Sequence, residues 1–247
     1  MRKGLLILLI VGLIGGCKKG DVGPSGPQGN PGAGLQTYTT SFLDGSFPFS
    51  SFTGTFVNTV DASNPTTASA STATLNFAST ISSASRVLFY WPIKDYLPSN
   101  ATVVAAQLQL ILQTTSITQN KNIGAYQMLL SGFGANWSST VTWNAPAPPG
   151  NPSWGPGPVT FTKGDDFSSS AMSTVTVKST DTAGTKYAWS LSPSMVQTWI
   201  NSNTNNAGVV LASSNEGTGE TTGSVSFYPQ TASGIYRPEL VVQYTIP

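Results

Sequence analysis

The feature that most constrains the fold is a strict alternation of side-chain character over residues 106–113. Every second residue in this run is apolar: Ala106, Leu108, Leu110 and Leu112. Three of the four residues that alternate with them are glutamines. Because successive side chains of a β-strand point to opposite faces of its sheet, we predict a strand here with one buried face.

From about Tyr38 onward, ten further runs rich in β-forming residues are separated by turn-forming residues. They cover residues 55–60, 74–78, 86–93, 123–130, 159–162, 174–178, 186–191, 208–212, 224–228 and 239–245. One helix is predicted over Pro193–Asn201, with Ser192 as its N-cap and its apolar face covering an open end of the sheets. This pattern predicts an all-β fold over residues 36–247, a large antiparallel β-sandwich such as a jelly roll with one short helix.

The beginning of the chain has the features of an export signal. Arg2 and Lys3 precede an apolar run over residues 5–14, which is too short to span a bilayer. The sequence Ile-Gly-Gly-Cys at 14–17 resembles a bacterial lipobox. We therefore predict a lipoprotein signal peptide over residues 1–16 and lipidation of Cys17, the only cysteine. Two alternatives are an ordinary signal peptide with a chance cysteine and a buried core helix.

A lipidated cysteine implies a membrane partner, because several acyl chains anchor a protein stably. Lys18 follows the cysteine, as is usual for lipoproteins sorted to the outer membrane. We therefore expect an exported protein held at the outer membrane or cell surface.

Residues 17–35 are predicted to be a spacer. Four Gly-X-Y triplets fill residues 20–31, followed by Gly-Ala-Gly. Collagen needs glycine at every third residue because three chains crowd around one axis, but four triplets are few for an independent triple helix. We expect a semi-rigid, polyproline-II-rich spacer on a monomer. The alternative is a homotrimer nucleated by this segment together with the domain.

Composition excludes several kinds of chemistry. The chain has no histidine and one cysteine, which excludes Ser-His-Asp and Cys-His nucleophile systems, zinc sites built on these residues, and intrachain disulfides. No carboxylate pair is marked out as the acid and nucleophile of a glycosidase. From Gln36 onward there are seven Lys and Arg against nine Asp and Glu, a net charge of −2. We therefore predict a non-enzymatic domain without a cofactor and with no nucleic-acid partner.

Several ordered segments resemble one known family. They are RVLFYWPI at 86–93, the Leu97-Pro98 pair with the alternating run after it, WSSTVTWN at 137–144, VQTW at 196–199 with NNAGVVL at 205–211, and YRPELVVQY at 236–244. In this order they resemble the DNRLRE domains, also described as disaggregatase-related. That resemblance implies a β-sandwich of an exported protein, related to carbohydrate-binding modules that include alginate binders. A net negative domain does not favour an anionic polymer such as alginate.

Tryptophans are the first candidates for carbohydrate contact, since sugar rings stack on flat aromatic faces. Trp154 lies in a loop rich in glycine and proline, and the environment of Trp137 is ambiguous. Both are candidate ligand-binding residues, and both could instead pack under the sandwich. The other four tryptophans are predicted to be core residues: Trp91, Trp143, Trp189 and Trp199.

Four charged residues complete the candidates. Arg86 and Arg237 are predicted to bind strand-end carbonyls or a carboxylate such as Glu239; if the ligand is acidic, they are the best candidates to bind it. Asp165 and Asp166 form an oxygen-rich loop that could hold calcium, although adjacent loop aspartates are commonly just solvated.

Two classes of function remain open. One is a surface-displayed module that binds carbohydrate or an extracellular matrix polymer. The other is a structural or adhesive subunit that self-associates or binds a protein partner.

Overall fold

The computed structural model describes residues 35–129, 137–146, 154 and 161–247. The predicted signal peptide, Cys17 and the spacer as far as Gly34 lie outside the described residues. From Leu35 onward the chain forms one compact unit with two apolar cores of its own.

The described residues contain twelve strands and one α-helix. The strands are β1 (Gln36–Leu43), β2 (Phe56–Asp61), β3 (Ser69–Ala70), β4 (Thr74–Phe77), β5 (Ser85–Tyr90), β6 (Thr102–Thr115), β7 (Lys121–Gln127), β8 (Ser173–Val177), β9 (Lys186–Leu191), β10 (Val209–Ser213), β11 (Gly223–Phe227) and β12 (Glu239–Ile246). The helix α1 covers Pro193–Asn201.

These strands form two six-stranded antiparallel sheets. In the first sheet the order is β1, β12, β6, β11 and β4, and β9 also pairs with β6. In the second sheet the order is β3, β2, β5, β10, β7 and β8. The predicted all-β sandwich is confirmed.

The main core contains side chains from both sheets. In β6, Leu108, Leu110 and Leu112 are fully buried, and the residues between them are more exposed, as the alternation predicts. Val87 and Phe89 of β5 join this core from the second sheet. Burying such side chains stabilises the fold by roughly 1.5–3 kcal/mol each.

The second sheet is buried on both faces. In β10, Val209 and Leu211 belong to the main core, whereas Val210 belongs to a second apolar cluster on the opposite face. In β5, Leu88 joins the same second cluster. Strands covered on both faces have nearly continuous apolar sequences, as β10 does.

The long connection between β7 and β8, residues 128–172, supplies much of the second cluster. Its described residues in the cluster are Met128, Trp137, Val141, Trp143, Trp154, Phe161 and Phe167, with Ala171 packed against them. We call this connection the cover segment, since it places aromatic rings over the outer face of the second sheet.

Helix α1 forms at the predicted position. The Ser192 hydroxyl caps it by accepting a hydrogen bond from the Met195 amide at 3.4 Å. The Gln197 side chain accepts from the Val103 amide at 2.8 Å and donates to the Ala101 carbonyl at 3.2 Å, which fixes the helix at the start of β6. Within the described part of the chain, no helix is long and apolar enough to cross a membrane.

Some predicted strand boundaries differ from the structure. β6 extends from Thr102 to Thr115, well beyond residues 106–113. The predicted strand at 159–162 lies partly outside the described residues, and its described part, 161–162, is loop. Two strands are not among those predicted: β1, and β3, whose two residues are too few to show a period.

Gly208 provides a test of how closely the second sheet packs. It precedes β10 with φ +85°, and a Cβ there would lie 2.1 Å from the Phe89 carbonyl oxygen. We expect Gly208→Ala to lower the free energy of unfolding by about 3 kcal/mol or more, because left-handed strain of about 1–2 kcal/mol adds to a displacement of β5. Urea unfolding of residues 35–247, followed by tryptophan fluorescence, measures this loss.

Gly184 is the matched control. Its φ is +92°, but nothing lies within 4 Å of the position of a Cβ. Gly184→Ala should therefore cost only about 1 kcal/mol, from backbone strain alone. Equal losses of unfolding free energy in the two variants would show that the close approach of Gly208 to β5 does not contribute to the effect of the substitution.

Candidate functional site

A cleft of about 560 Å³ opens beside the second apolar cluster. Short segments from five parts of the chain surround it, and we call it the side cleft. Its lining residues are Ala62, Pro65, Ile81, Ser82, Arg86, Trp143, Asn144, Phe161, Thr162, Lys163, Ser214 and Glu216. Its volume lies within the range of about 300–1,000 Å³ that is typical of small-molecule sites.

Arg86 and Glu216 form a buried ion pair at the side cleft. The Arg86 Nε donates to Glu216 Oε1 at 3.0 Å, and Nη2 donates to Oε2 at 2.7 Å. The two side chains are only 3% and 8% exposed. Fork-shaped pairing of this kind satisfies both carboxylate oxygens, which is what burial of two charges requires.

The rest of the Arg86 guanidinium contacts the cover segment. Its Nη1 donates to the carbonyl oxygen of Phe161. Its central carbon lies 4.4 Å from the ring centre of Trp143 and 4.8 Å from that of Phe167. Cation–π contacts add to the hydrogen bonds, so this one side chain joins β5 to the cover segment.

A second buried pair holds the other end of the segment after β10. Lys121 of β7 lies 3.5 Å from Glu220, with side-chain exposures of 3% and 7%. The Lys121 ammonium also donates to the Thr221 carbonyl at 2.6 Å and to its hydroxyl at 2.8 Å. Two buried cations of the second sheet thus fix the segment that carries Ser214 and Glu216.

The side cleft also has polar groups besides the Arg86–Glu216 ion pair. The Asn144 backbone amide donates to the Pro65 carbonyl at 3.0 Å, which holds two walls together. The Ser214 hydroxyl is buried and has no hydrogen-bond partner among the described residues. Lys163 contributes one cation, whose Nζ lies 3.3 Å from the Tyr126 hydroxyl. The result is an apolar wall with an amide, hydroxyls and one ammonium around it.

The two candidate tryptophans are buried, so the prediction that they offer exposed faces for stacking on a sugar is wrong. Trp154 is 1% exposed; its Nε1 donates to the Thr142 carbonyl at 3.1 Å, and its ring centre lies 4.3 Å from that of Phe161. Trp137 is 6% exposed, and its Nε1 donates to the Ala207 carbonyl at 2.8 Å. Both rings belong to the second apolar cluster, in agreement with the alternative prediction that they pack under the sandwich.

The two candidate arginines lie in different places. Only Arg86 lines the side cleft, and its carboxylate partner is Glu216, whereas Glu239 lies 3.5 Å from Lys186. Arg237 donates to the carbonyl oxygens of Ala232 and Asp44 and so connects two loops. Both arginines bind backbone carbonyls, which agrees with the structural role considered for them.

The two candidate calcium ligands have different environments. Asp165 is exposed, whereas Asp166 is 1% exposed and accepts a hydrogen bond from the Thr162 amide at 2.7 Å. Burial raises the pKa of Asp166, and the neighbouring Asp165 charge raises it further, against the opposing effects of the Thr162 bond and Arg86. Among the described residues, no group of three acidic, histidine or cysteine side chains could hold a metal ion.

Comparison with known proteins adds no family assignment. A search of protein-family models gives no match to this chain, and a search of curated proteins gives none either. The assignment to the DNRLRE domains is therefore a proposal that rests on the segments quoted above.

Among the main residues of the side cleft, the sequence pointed to Arg86 but not to Glu216, Asn144 or Lys163. Glu216 lies in an ordinary polar turn, and its partner Arg86 is 130 residues away along the chain. Asn144 and Lys163 lie in two separate described stretches of the cover segment, 137–146 and 161–172, where no local pattern marks them. A buried arginine in an apolar strand was the one available signal, because such a cation requires a carboxylate somewhere.

The Arg86–Glu216 pair should be a major source of stability. We expect Arg86→Met to lower the free energy of unfolding by about 3–5 kcal/mol, because it leaves the Glu216 carboxylate buried without a partner. The double variant Arg86→Met/Glu216→Leu should recover part of that loss. Urea unfolding of residues 35–247 at neutral pH measures all three proteins.

Lys186→Met is the matched control, since it breaks an ion pair whose side chains are 54% and 22% exposed. It should cost less than about 1 kcal/mol. A loss for Arg86→Met no larger than this would contradict the role given to the buried pair.

Proposed function

We propose that this chain is an exported, lipid-anchored surface protein whose β-sandwich binds carbohydrate without catalysis through the side cleft. The observation that carries the proposal is the combination of an apolar wall and uncharged hydrogen-bonding groups in one cleft of about 560 Å³. Sugars have apolar C–H faces and many hydroxyls, so they need both kinds of surface.

The apolar wall would receive the face of a sugar ring. Ile81 is 46% exposed at the cleft, and Pro65 lines the cleft with it. The Asn144 side-chain amide and the exposed Ser82 hydroxyl supply donors and acceptors for sugar hydroxyls.

The charges at the cleft favour a neutral or weakly acidic ligand. Arg86 and Glu216 neutralise one another, which leaves Lys163, within the described lining, as the one cation without an acidic partner in the cleft. A single cation gives little attraction for a highly charged polyanion. We therefore propose neutral polysaccharide ahead of an alginate-like polymer.

The same pairing supports a binding role ahead of catalysis. Of the residues that the structure describes, Glu216 is the one carboxylate that lines the side cleft, and both of its oxygens accept hydrogen bonds from Arg86. A glycosidase needs two carboxylates that flank the bond to be broken, one of them able to donate a proton. A carboxylate held by a guanidinium is poorly suited to that task.

The carbohydrate proposal is tested with residues 35–247 on a glycan array, followed by titration calorimetry with the best ligand. Replacing Asn144 by Ala should weaken binding about tenfold or more, since a lost hydrogen bond of about 1.4 kcal/mol is a factor of ten in affinity. Ile81→Ser should weaken it similarly by removing part of the apolar wall.

Asn100→Ala is the matched control for these variants, since Asn100 is an exposed asparagine that does not line the cleft. It should bind with unchanged affinity. The proposal would be refuted if the folded domain bound no glycan on the array, or if Asn144→Ala and Ile81→Ser both left the affinity unchanged.

The anchor is tested separately on the full chain. Expressed in a bacterium, the protein should incorporate radiolabelled palmitate and fractionate with membranes, and Cys17→Ser should abolish the label. Thr39→Ser, which leaves the cysteine in place, is the control and should be labelled normally. Label that survives in Cys17→Ser would show that Cys17 is not the site of lipidation.

A further inference from the structure

The first strand of the domain has a free edge. β1 pairs with β12 along all eight of its residues, from Gln36 opposite Ile246 to Leu43 opposite Glu239. On its other side, only the last residue is engaged: Leu43 exchanges backbone hydrogen bonds with Phe47. Among the described residues nothing else pairs with β1, so the outward backbone groups of residues 37–41 have no hydrogen-bond partner there.

This edge lacks the features that usually keep edge strands from pairing. Such features are short length, charged side chains, proline and β-bulges. β1 has no charged residue and no proline, and its register against β12 is unbroken. The other edge strands, β3, β4, β8 and β9, have two to six residues, and β9 carries Lys186.

A free strand edge has a defined chemical partner, since alternating N–H and C=O groups are satisfied together only by another extended strand. We propose that this partner is β1 of a second copy of the chain, paired antiparallel about a two-fold axis at Thr39. The proposal is independent of carbohydrate binding and concerns a different surface.

The register follows from the part of β1 that is open. On the outward side, residues 37–41 are unpaired within the described part of the chain, whereas Leu43 bonds Phe47, so the unpaired stretch is centred on Thr39. An antiparallel pair about that centre places Thr37 opposite Ser41 of the second copy, and Tyr38 opposite Thr40. Hydroxyl pairs and aromatic–β-branched pairs are both favourable across strands.

The lack of charge on β1 removes the main obstacle to pairing with a second copy. When two copies of one strand pair, residues of identical sequence face one another, so a strand with charges of one sign would repel its copy. β1 carries no charge, which makes it compatible with its own sequence. The same patch on both copies gives a closed dimer rather than a filament.

The test uses the full chain, purified from membranes in mild detergent and oxidised before electrophoresis without reducing agent. In the proposed register the two Thr39 Cα atoms lie about 4.5–5.5 Å apart, within the range for a disulfide. Thr39→Cys should therefore give mostly covalent dimer. The two Thr37 Cα atoms would be offset by four residues, about 13 Å, so Thr37→Cys should give little.

Two controls define the background. The parent chain reports any dimer formed through Cys17, and Thr174→Cys places a cysteine at an exposed position of the edge strand β8. Dimer from Thr39→Cys no greater than from Thr174→Cys or Thr37→Cys would overturn the proposal. So would a covalent product of Thr39→Cys with a different protein.

A second measurement does not depend on a disulfide. Light scattering after size exclusion should give the parent chain the mass of a dimer, and Thr39→Lys should halve that mass because two ammonium groups would face one another. Thr174→Lys should remain a dimer. A parent chain with the mass of a monomer or a trimer would overturn the proposal.

Discussion

The covering of the second sheet depends on one buried cation. Arg86 leaves β5 on the outer face, where it meets Glu216 from the segment after β10 and the Phe161 carbonyl from the cover segment. Burying either charge without its partner would cost several kcal/mol. The three parts of the chain are therefore expected to pack together cooperatively. These three segments are among the five that surround the side cleft, so its shape depends in part on the pair.

The sandwich itself was predictable because local patterns report which face is buried. The alternation in β6 and the capped apolar helix after Ser192 are visible within a few residues, and the structure confirms both. The two-sided burial of the second sheet was not predicted. A run such as that of β5 is apolar at successive positions, and its sequence does not tell whether the second face meets another sheet or a long loop.

The candidate site was predicted less well because it is formed by contacts between distant segments. A loop rich in glycine and proline around position 154 suggested exposure, yet Trp154 packs on Phe161 and bonds a carbonyl of the same cover segment. Burial of an aromatic ring depends on what lies above it, and composition near the residue does not contain that information. For Arg86 the structural role was correctly weighed, but the identity of its partner required the fold.

The pairing of β1 with β12 has a mechanical consequence. The first and last strands lie side by side, with Gln36 opposite Ile246, so both ends of the domain leave from one place in the first sheet. A pull on the chain before Gln36, directed along β1 and resisted by the rest of the sandwich, loads the whole ladder of eight residue pairs in shear. A pull across the strand would open the same hydrogen bonds one after another. The direction of an applied force would thus decide how much of this ladder bears it at once.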